Sequence, residues 1–167
     1  CIASSLQVYQ STVYNTTGLG ISGDLCVATL SNSTVAHNQG GGAAFAAQSD
    51  IQVKNCDFVS NVAVLRDGGG LLCNGCDRLL VDASTKFDGN TALRGGGMAV
   101  MNTLNVLLEQ TTSFTNNRAT SGGGGGLFWS SLSSLEPAFV ETNAWFGNLA
   151  LYGSNIASNA IGVYVQA

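Results

Sequence analysis

Apolar and polar positions alternate along this chain in short bursts, such as Ile51-Gln52-Val53 and Leu104-Asn105-Val106-Leu107-Leu108, and no helical stripe of useful length interrupts them. Period-two alternation over such lengths predicts half-buried β-strands. The bursts recur in a common setting. An asparagine returns with an apolar or aromatic residue three places before it, a small residue two places after it, and a run of glycines beyond. The clearest copies are Phe58-Val59-Ser60-Asn61-Val62-Ala63 leading to Gly68-Gly69-Gly70, Phe87-Asp88-Gly89-Asn90-Thr91-Ala92 leading to Gly95-Gly96-Gly97, and Phe114-Thr115-Asn116-Asn117-Arg118-Ala119 leading to Gly122 through Gly126. Weaker copies centre on Asn15, Asn38 and Asn148, and the intervals between the asparagines are 23, 23, 29, 27 and 31 residues.

Self-similarity at this period is the mark of stacked repeats. If each interval is one turn of a parallel β-helix, equivalent residues lie about 4.8 Å apart, the spacing of hydrogen-bonded strands. The expected architecture is therefore all-β, a β-solenoid of about six rungs, forming a single domain over residues 1–167. Columns then matter more than sequence neighbours. Three places before the asparagines the column reads Thr12, Val35, Phe58, Phe87, Phe114, Trp145, and its last four members are expected to stack inside. Burying one such ring is worth roughly 1.5–3 kcal/mol. Two places after, Thr17, Gly40, Ala63, Ala92, Ala119 and Ala150 suggest a tight place beside a bend.

The asparagines Asn15, Asn38, Asn61, Asn90, Asn117 and Asn148 are expected to form a ladder, each amide donating to one copy and accepting from another. Such a ladder satisfies buried groups that would otherwise cost about 1–3 kcal/mol each. Asparagine also tolerates the left-handed conformation of a bend. The glycine runs mark positive-φ bends or places where the backbone passes close to a neighbouring coil. Just before them, Asp67 falls one rung from Arg94. That spacing predicts a surface salt bridge worth about 0–1 kcal/mol.

Composition agrees with a folded chain. Of 167 residues 45% are hydrophobic and 10% charged, outside the range of disorder. The 22 glycines keep phase with the asparagines, so they are architectural. The net charge of −4 and the lack of a basic cluster argue against nucleic acid as a partner. No apolar run approaches the ~18 residues of a membrane span. The opening Cys1-Ile2-Ala3-Ser4-Ser5 lacks a basic flank and a start methionine, so the chain is expected to be processed or cut from something longer.

These motifs resemble the polymorphic outer membrane protein repeats of chlamydial type, with their short Gly-Gly-Ala-aliphatic and Phe-x-x-Asn elements. The matching segments are Gly41-Gly42-Ala43-Ala44, Gly69-Gly70-Leu71-Leu72, Gly96-Gly97-Met98-Ala99 and Gly125-Gly126-Leu127-Phe128, with Phe58/Asn61, Phe87/Asn90 and Phe114/Asn117. The resemblance implies a right-handed parallel β-helix in a surface-exposed passenger domain linked to adhesion. Right-handed crossover is also the general preference between parallel strands. Most of the glycine runs here lack the alanine of Gly-Gly-Ala, and the motif is structural, so the resemblance implies no functional residue.

Five cysteines leave at least one without a partner within the chain. Cys1 and Cys26 can face each other across adjacent rungs, where a disulfide would pin the first coil. Cys73 and Cys76 can close a small loop, Cys56 standing apart. A single CxxC with no second pair or nearby histidine gives neither a zinc site nor a thioredoxin-like motif, and no cofactor is expected. Two glycosylation sequons occur, Asn15-Thr16-Thr17 and Asn32-Ser33-Thr34. If Val35 points inward, strand alternation turns Asn32 outward and makes it the better acceptor, whereas Asn15 belongs to the asparagine column.

Parallel β-helices include polysaccharide lyases, epimerases and hydrolases, whose chemistry needs clustered carboxylates, a metal, or a base beside them. The acids Asp24, Asp50, Asp57, Asp67, Asp77, Asp82, Asp88, Glu109, Glu136 and Glu141 do not share one column, although Lys54, Asp57, Lys86 and Asp88 occupy neighbouring strand ends. His37, the sole histidine, has nothing to orient a nucleophile toward it and reads as a surface or strand-end residue. Gly18-Leu19-Gly20-Ile21-Ser22-Gly23 matches the dinucleotide fingerprint, but no helix pattern follows. Thr34, Thr85, Thr112 and Thr142 do not make the regular array that ice binding would need.

Neither end shows an evident polar cap: the chain opens with strand-like Ile2–Tyr9 and closes with Ile161–Val165. Head-to-tail contact between such ends is heterologous and propagates. The leading expectation is thus a secreted structural protein, non-enzymatic, whose partner is a further copy of itself. An adhesin fragment that binds a receptor or glycan, and a polysaccharide-active enzyme, stand as alternatives.

Overall fold

The computed structural model describes residues 1–82, 84–109, 111–130 and 143–159, together with the backbone of Ala138–Phe139. Glu136, Glu141, Thr142 and the closing stretch at 161–165 lie outside the described residues.

The chain winds as a parallel β-helix, and the pairing of each strand with its equivalent one turn away builds flat faces. Face one stacks Ser5–Tyr9, Val27–Ser31, Asp50–Lys54, Arg78–Val81, Asn105–Leu108 and Ala138–Phe139. Face two stacks Thr12–Tyr14, Thr34–Ala36, Asp57–Val59, Lys86–Asp88, Ser113–Thr115 and Ala144–Phe146. Face four stacks Ile21–Asp24, Ala43–Ala46, Leu71–Asn74, Met98–Met101, Leu127–Ser130 and Ile156–Ser158. Face three, between the second and the fourth, holds three short strands, Val62–Ala63, Thr91–Ala92 and Arg118–Ala119. The expected six rungs are therefore not equivalent: among the described residues, only the three middle passes carry all four strands, and the outer ones are three-sided. In the first two coils the cause is local, since the short links 15–20 and 37–42 leave too little chain between faces two and four, while the last coil carries isolated bridges there, such as Arg118–Leu149.

The corners follow one rule. Past the first coil, each described corner other than the glycine-rich approach to face four has a residue with positive φ, and the next residue turns a small polar or sulfur-bearing side chain inward. Between faces one and two, the left-handed residues are Gln10, Asn32, Asn55, Ser84 and Thr111, and Ser33, Cys56, Thr85 and Thr112 follow them into the interior. Between faces four and one, Leu25, Gln48, Gly75 and Asn102 precede buried Cys26, Ser49, Cys76 and Thr103. These inward groups bridge the coils: Cys26 N–H donates to Ser49 Oγ at 3.0 Å, and Ser11 N–H donates to Ser33 Oγ at 3.1 Å. Thr85 and Thr112 share this inward column, whereas Thr34 lies in a face-two strand, so these threonines form no outward array.

Strand alternation places Ile51, Val53, Leu79, Val81 and Leu108 of face one inside, against Phe45, Leu71, Met98 and Leu127 of face four. Face two contributes the ring pile. Phe58, Phe87, Phe114 and Trp145 stack with centroids 4.9, 4.8 and 4.4 Å apart and planes within 7°. Parallel register imposes this spacing and leaves the rings no choice but to stack. In the first coil, Val13 pairs with Val35, so Val13 holds the inward place expected of Thr12. The first coil is one residue shorter than the asparagine count implies.

The glycine runs carry two separate demands. Gly68, Gly95, Gly124 and Gly153 take positive φ on the approach to face four. Their followers pass so close to the next coil that a side chain has no room: a Cβ on Gly70 would lie 2.6 Å from Gly97 O and 2.8 Å from Phe87 Cδ1.

Candidate functional site

The most ordered polar feature is the internal asparagine ladder. Asn38, Asn61, Asn90, Asn117 and Asn148 are buried in a row. Each of the first four donates its backbone N–H and its Nδ2 to Oδ1 of the next, from Asn38 to Asn61 at 3.1 and 2.9 Å through Asn117 to Asn148 at 3.0 and 3.0 Å. The remaining amide hydrogen goes back to a carbonyl one rung behind, as from Asn61 to Val35 O at 2.8 Å. At the far end Asn148 Nδ2 donates to Asn155 Oδ1 at 3.1 Å. Every carboxamide valence is used, so the ladder is structural and offers no group to a ligand. Among the described residues, no buried side-chain nitrogen or oxygen lacks a partner.

Asn15 is not in this ladder. Thr16 takes the place, its N–H and Oγ1 donating to Asn38 Oδ1 at 3.0 and 2.9 Å. Asn15 sits one residue earlier, exposed, at φ 57°, in a corner column with His37, Ser60, Gly89, Asn116 and Gly147. The left-handed bend expected of the ladder asparagines belongs to this column. The physical reason is that a buried carboxamide in an extended segment can reach both neighbours, while the bend needs a residue whose side chain leaves the core. Asn32 is exposed as alternation required, at φ 48°, and its Oδ1 accepts from Asn55 Nδ2 at 2.8 Å.

Cys1–Cys26 and Cys73–Cys76 are disulfides, and Cys56 is a buried free thiol. Burial pushes the Cys56 thiol above its usual range, which keeps it protonated and unreactive. His37 packs edge-on against Tyr14, ring centroids 5.2 Å apart, at an exposed corner. No helix follows Gly18–Gly23, whose later residues are the strand Ile21–Asp24.

Three lateral clusters were candidates for chemistry. At the corner between faces one and two, Lys54 meets Asp82 at 3.5 Å and Lys86 meets Asp57 at 4.0 Å. Glu109, next in the Lys54–Asp82 column, hydrogen-bonds Asp82, and this bond raises its carboxyl above the usual range, with Asp82's charge adding to the effect. Asp88 stands apart from them, accepting from Thr115 Oγ1 at 2.8 Å and Asn116 Nδ2 at 3.1 Å. The sequence brought Lys54, Asp57, Lys86 and Asp88 together but missed Asp82 and Glu109, which share the column with Lys54 only once rung lengths are known.

On the approach to face four, Arg94 grips Asp67 through two parallel bonds, Nε to Oδ1 at 3.0 Å and Nη2 to Oδ2 at 2.7 Å. Its guanidinium lies over the Phe128 ring, 4.4 Å from the centroid. The expected bridge forms but sits deeper than a surface pair, with the Asp67 side chain 11% and the Arg94 side chain 34% exposed. Bidentate geometry and the ring make Arg94 a strap that closes over the outer side of face four and buries Phe128. The third feature is a groove of ≈ 240 Å³, lined by Leu19, Gln39, Ala63, Val64, Leu65 and Arg66, where the three-stranded face begins.

Parallel pairing at one-coil spacing, stacked rings and an internal amide ladder define a β-solenoid. Residues 2–167 match the model of the family described as right handed beta helix region, and the chain belongs to that family. No curated protein and no solved structure matches it. Among the described residues, no helix is long and apolar enough to cross a membrane.

Proposed function

We propose that this chain is a secreted structural β-helix that associates end to end in an extracellular fibre or surface coat. Disulfides persist in oxidising compartments, and the two staples Cys1–Cys26 and Cys73–Cys76 support the extracellular placement. Structural use is supported by the fate of the charges. Lys54, Lys86 and Arg94 each join one coil to the next rather than converge on a cleft.

The observation that carries end-to-end association is the leading edge of the coil. Ser5–Tyr9 and Thr12–Tyr14 are edge strands of their sheets, each paired on one side alone. Their inward residues Leu6, Val8 and Val13 stay half-buried, whereas the equivalent Leu30 and Val35 of the next coil are fully buried. An apolar edge with free backbone groups accepts another coil, which the fibre reading takes from a further copy of the chain and a longer polypeptide would take from its own preceding coils. Sedimentation velocity across a concentration series tests this, with a Val8→Lys variant as comparison. Growth into long species that the variant abolishes supports the reading; a monomer at every concentration refutes it.

A second reading, an adhesive passenger module of the kind the chlamydial-type repeats suggest, is favoured by the apolar groove. Val64 and Leu65 beside it are 59% and 85% exposed. Patches of this kind mark partner contacts. Binding of surface glycans or receptor ectodomains by the monomer, lost on Leu65→Asp, would favour it over the fibre.

A further inference from the structure

We infer that Asn15 is an N-glycan acceptor. The inference rests on the secreted reading, because the donor is a polyprenyl-pyrophosphate-linked oligosaccharide met in a secretory compartment. In the transfer, Asn15 Nδ2 bonds to the anomeric carbon and loses a proton, while the bond from that carbon to the pyrophosphate breaks and the lipid pyrophosphate leaves.

The sequence keeps Asn15 as a candidate but ranks it below Asn32, counting it into the buried column from which only its place in an end rung would free it. The one-residue shortening of the first coil reverses that. Thr16 replaces it in the ladder, turning Oγ1 inward to Asn38 Oδ1 and Gly18 O at 2.9 and 2.8 Å. Asn15 is left on the bend with its backbone N–H committed to Ala36 O at 3.1 Å and its carboxamide outside the ladder. Thr17, the hydroxyl residue that completes the sequon, is exposed as well. Immediately beyond it, a Cβ built on Gly18 would meet nothing within 4 Å, so open space flanks the acceptor. A sugar on Nδ2 therefore displaces no packed group and breaks no hydrogen bond of the fold. By contrast, Asn38 through Asn148 occupy the ladder and could not carry one.

Asn15 and Asn32 then stand on successive corners at the two ends of the first strands of face two, Thr12–Tyr14 and Thr34–Ala36. The test is to send the chain through a eukaryotic secretory pathway behind a signal peptide and to map glycopeptides by mass spectrometry on all the translocated protein, exported or retained. Wild type, Asn15→Gln, Thr17→Ala and Asn32→Gln are compared. The expected result is glycan on the Asn15 peptide of wild type and Asn32→Gln, with loss of one endoglycosidase-sensitive mobility step in Asn15→Gln and Thr17→Ala. Both substitutions are at exposed positions, and Gln10 already holds the same left-handed conformation, so folding is retained. Translocated wild type with an unmodified Asn15 peptide overturns the inference, even if Asn32 is occupied. Localisation of the native protein is a separate measurement: finding it inside the cell would defeat the secreted reading without touching the acceptor result.

Discussion

Asn117 Oδ1 accepts two hydrogen bonds from Asn90, one from its backbone N–H and one from Nδ2, both at 3.0 Å. Asn90 Oδ1 accepts the same pair from Asn61, and Asn90 Nδ2 reaches back to Phe58 O at 2.8 Å. One side chain thus completes the hydrogen bonding of three rungs. Asn90→Ala leaves several buried groups short, each worth about 1–3 kcal/mol, so a loss of about 3 kcal/mol or more is expected. Asn90→Asp should be worse, because a carboxylate cannot donate and buries a charge. Urea unfolding measures both, and Asn15→Gly, outside the ladder and free to keep the left-handed bend, should stay within about 0.5 kcal/mol of wild type.

Phe87 lies between Phe58 and Phe114 in the pile and is fully buried. Phe87→Ala should cost about 3–5 kcal/mol through lost burial and an unfilled cavity. Phe87→Leu should cost less. Gly70→Ala adds one methyl in the same region, 2.8 Å from Phe87 Cδ1 and 2.6 Å from Gly97 O. Backbone cannot yield there as a side-chain tip can, and a loss of about 1–3 kcal/mol is expected.

The Asp82–Glu109 pair gives a pH signature. The hydrogen bond to Asp82 holds Glu109's folded pKa above the ordinary range of a glutamate, so the folded chain binds the proton more tightly than the unfolded one. Its contribution is full below the unfolded pKa and is lost as pH rises through the folded pKa. Thermal midpoints taken across this window should fall with rising pH in wild type, and this component should vanish in Glu109→Gln. An unchanged slope in the variant would show that the pair does not share a proton.

Cys1–Cys26 closes a loop with a sequence separation of 25, and Cys73–Cys76 one of 3. Loop-closure entropy then assigns roughly 3–4 kcal/mol to the first and roughly 2 kcal/mol to the second. Unfolding with and without reductant, compared with the Cys1→Ser/Cys26→Ser double variant, checks the order. Buried Cys56 should resist thiol reagents in the folded chain and react on unfolding.

Much of this fold is legible because stacked coils turn sequence periodicity into spatial columns. The ring pile from Phe58 to Trp145 and the ladder from Asn38 to Asn148 stand where the repeat put them. The first coil is ambiguous in sequence, since Asn15 and Thr16 both suit the motif and only strand register, Val13 with Val35, separates them. The corner column was legible but went to the wrong residue: Asn15, His37, Ser60, Gly89, Asn116 and Gly147 precede the ladder, and most are turn formers. The Lys54–Asp82–Glu109 column was hidden by unequal rung lengths, and the depth of Asp67 by the two-bond grip of Arg94, whose geometry no spacing shows. The apolar groove left no sequence signal, because Val64 and Leu65 look like any core pair.

Electron microscopy of material from the native source tests the central claim most directly. End-to-end association predicts unbranched filaments along which the coil spacing of about 4.8 Å runs without a break from one chain to the next. Isolated particles at high concentration, with the leading strands ordered and unpaired, would contradict it.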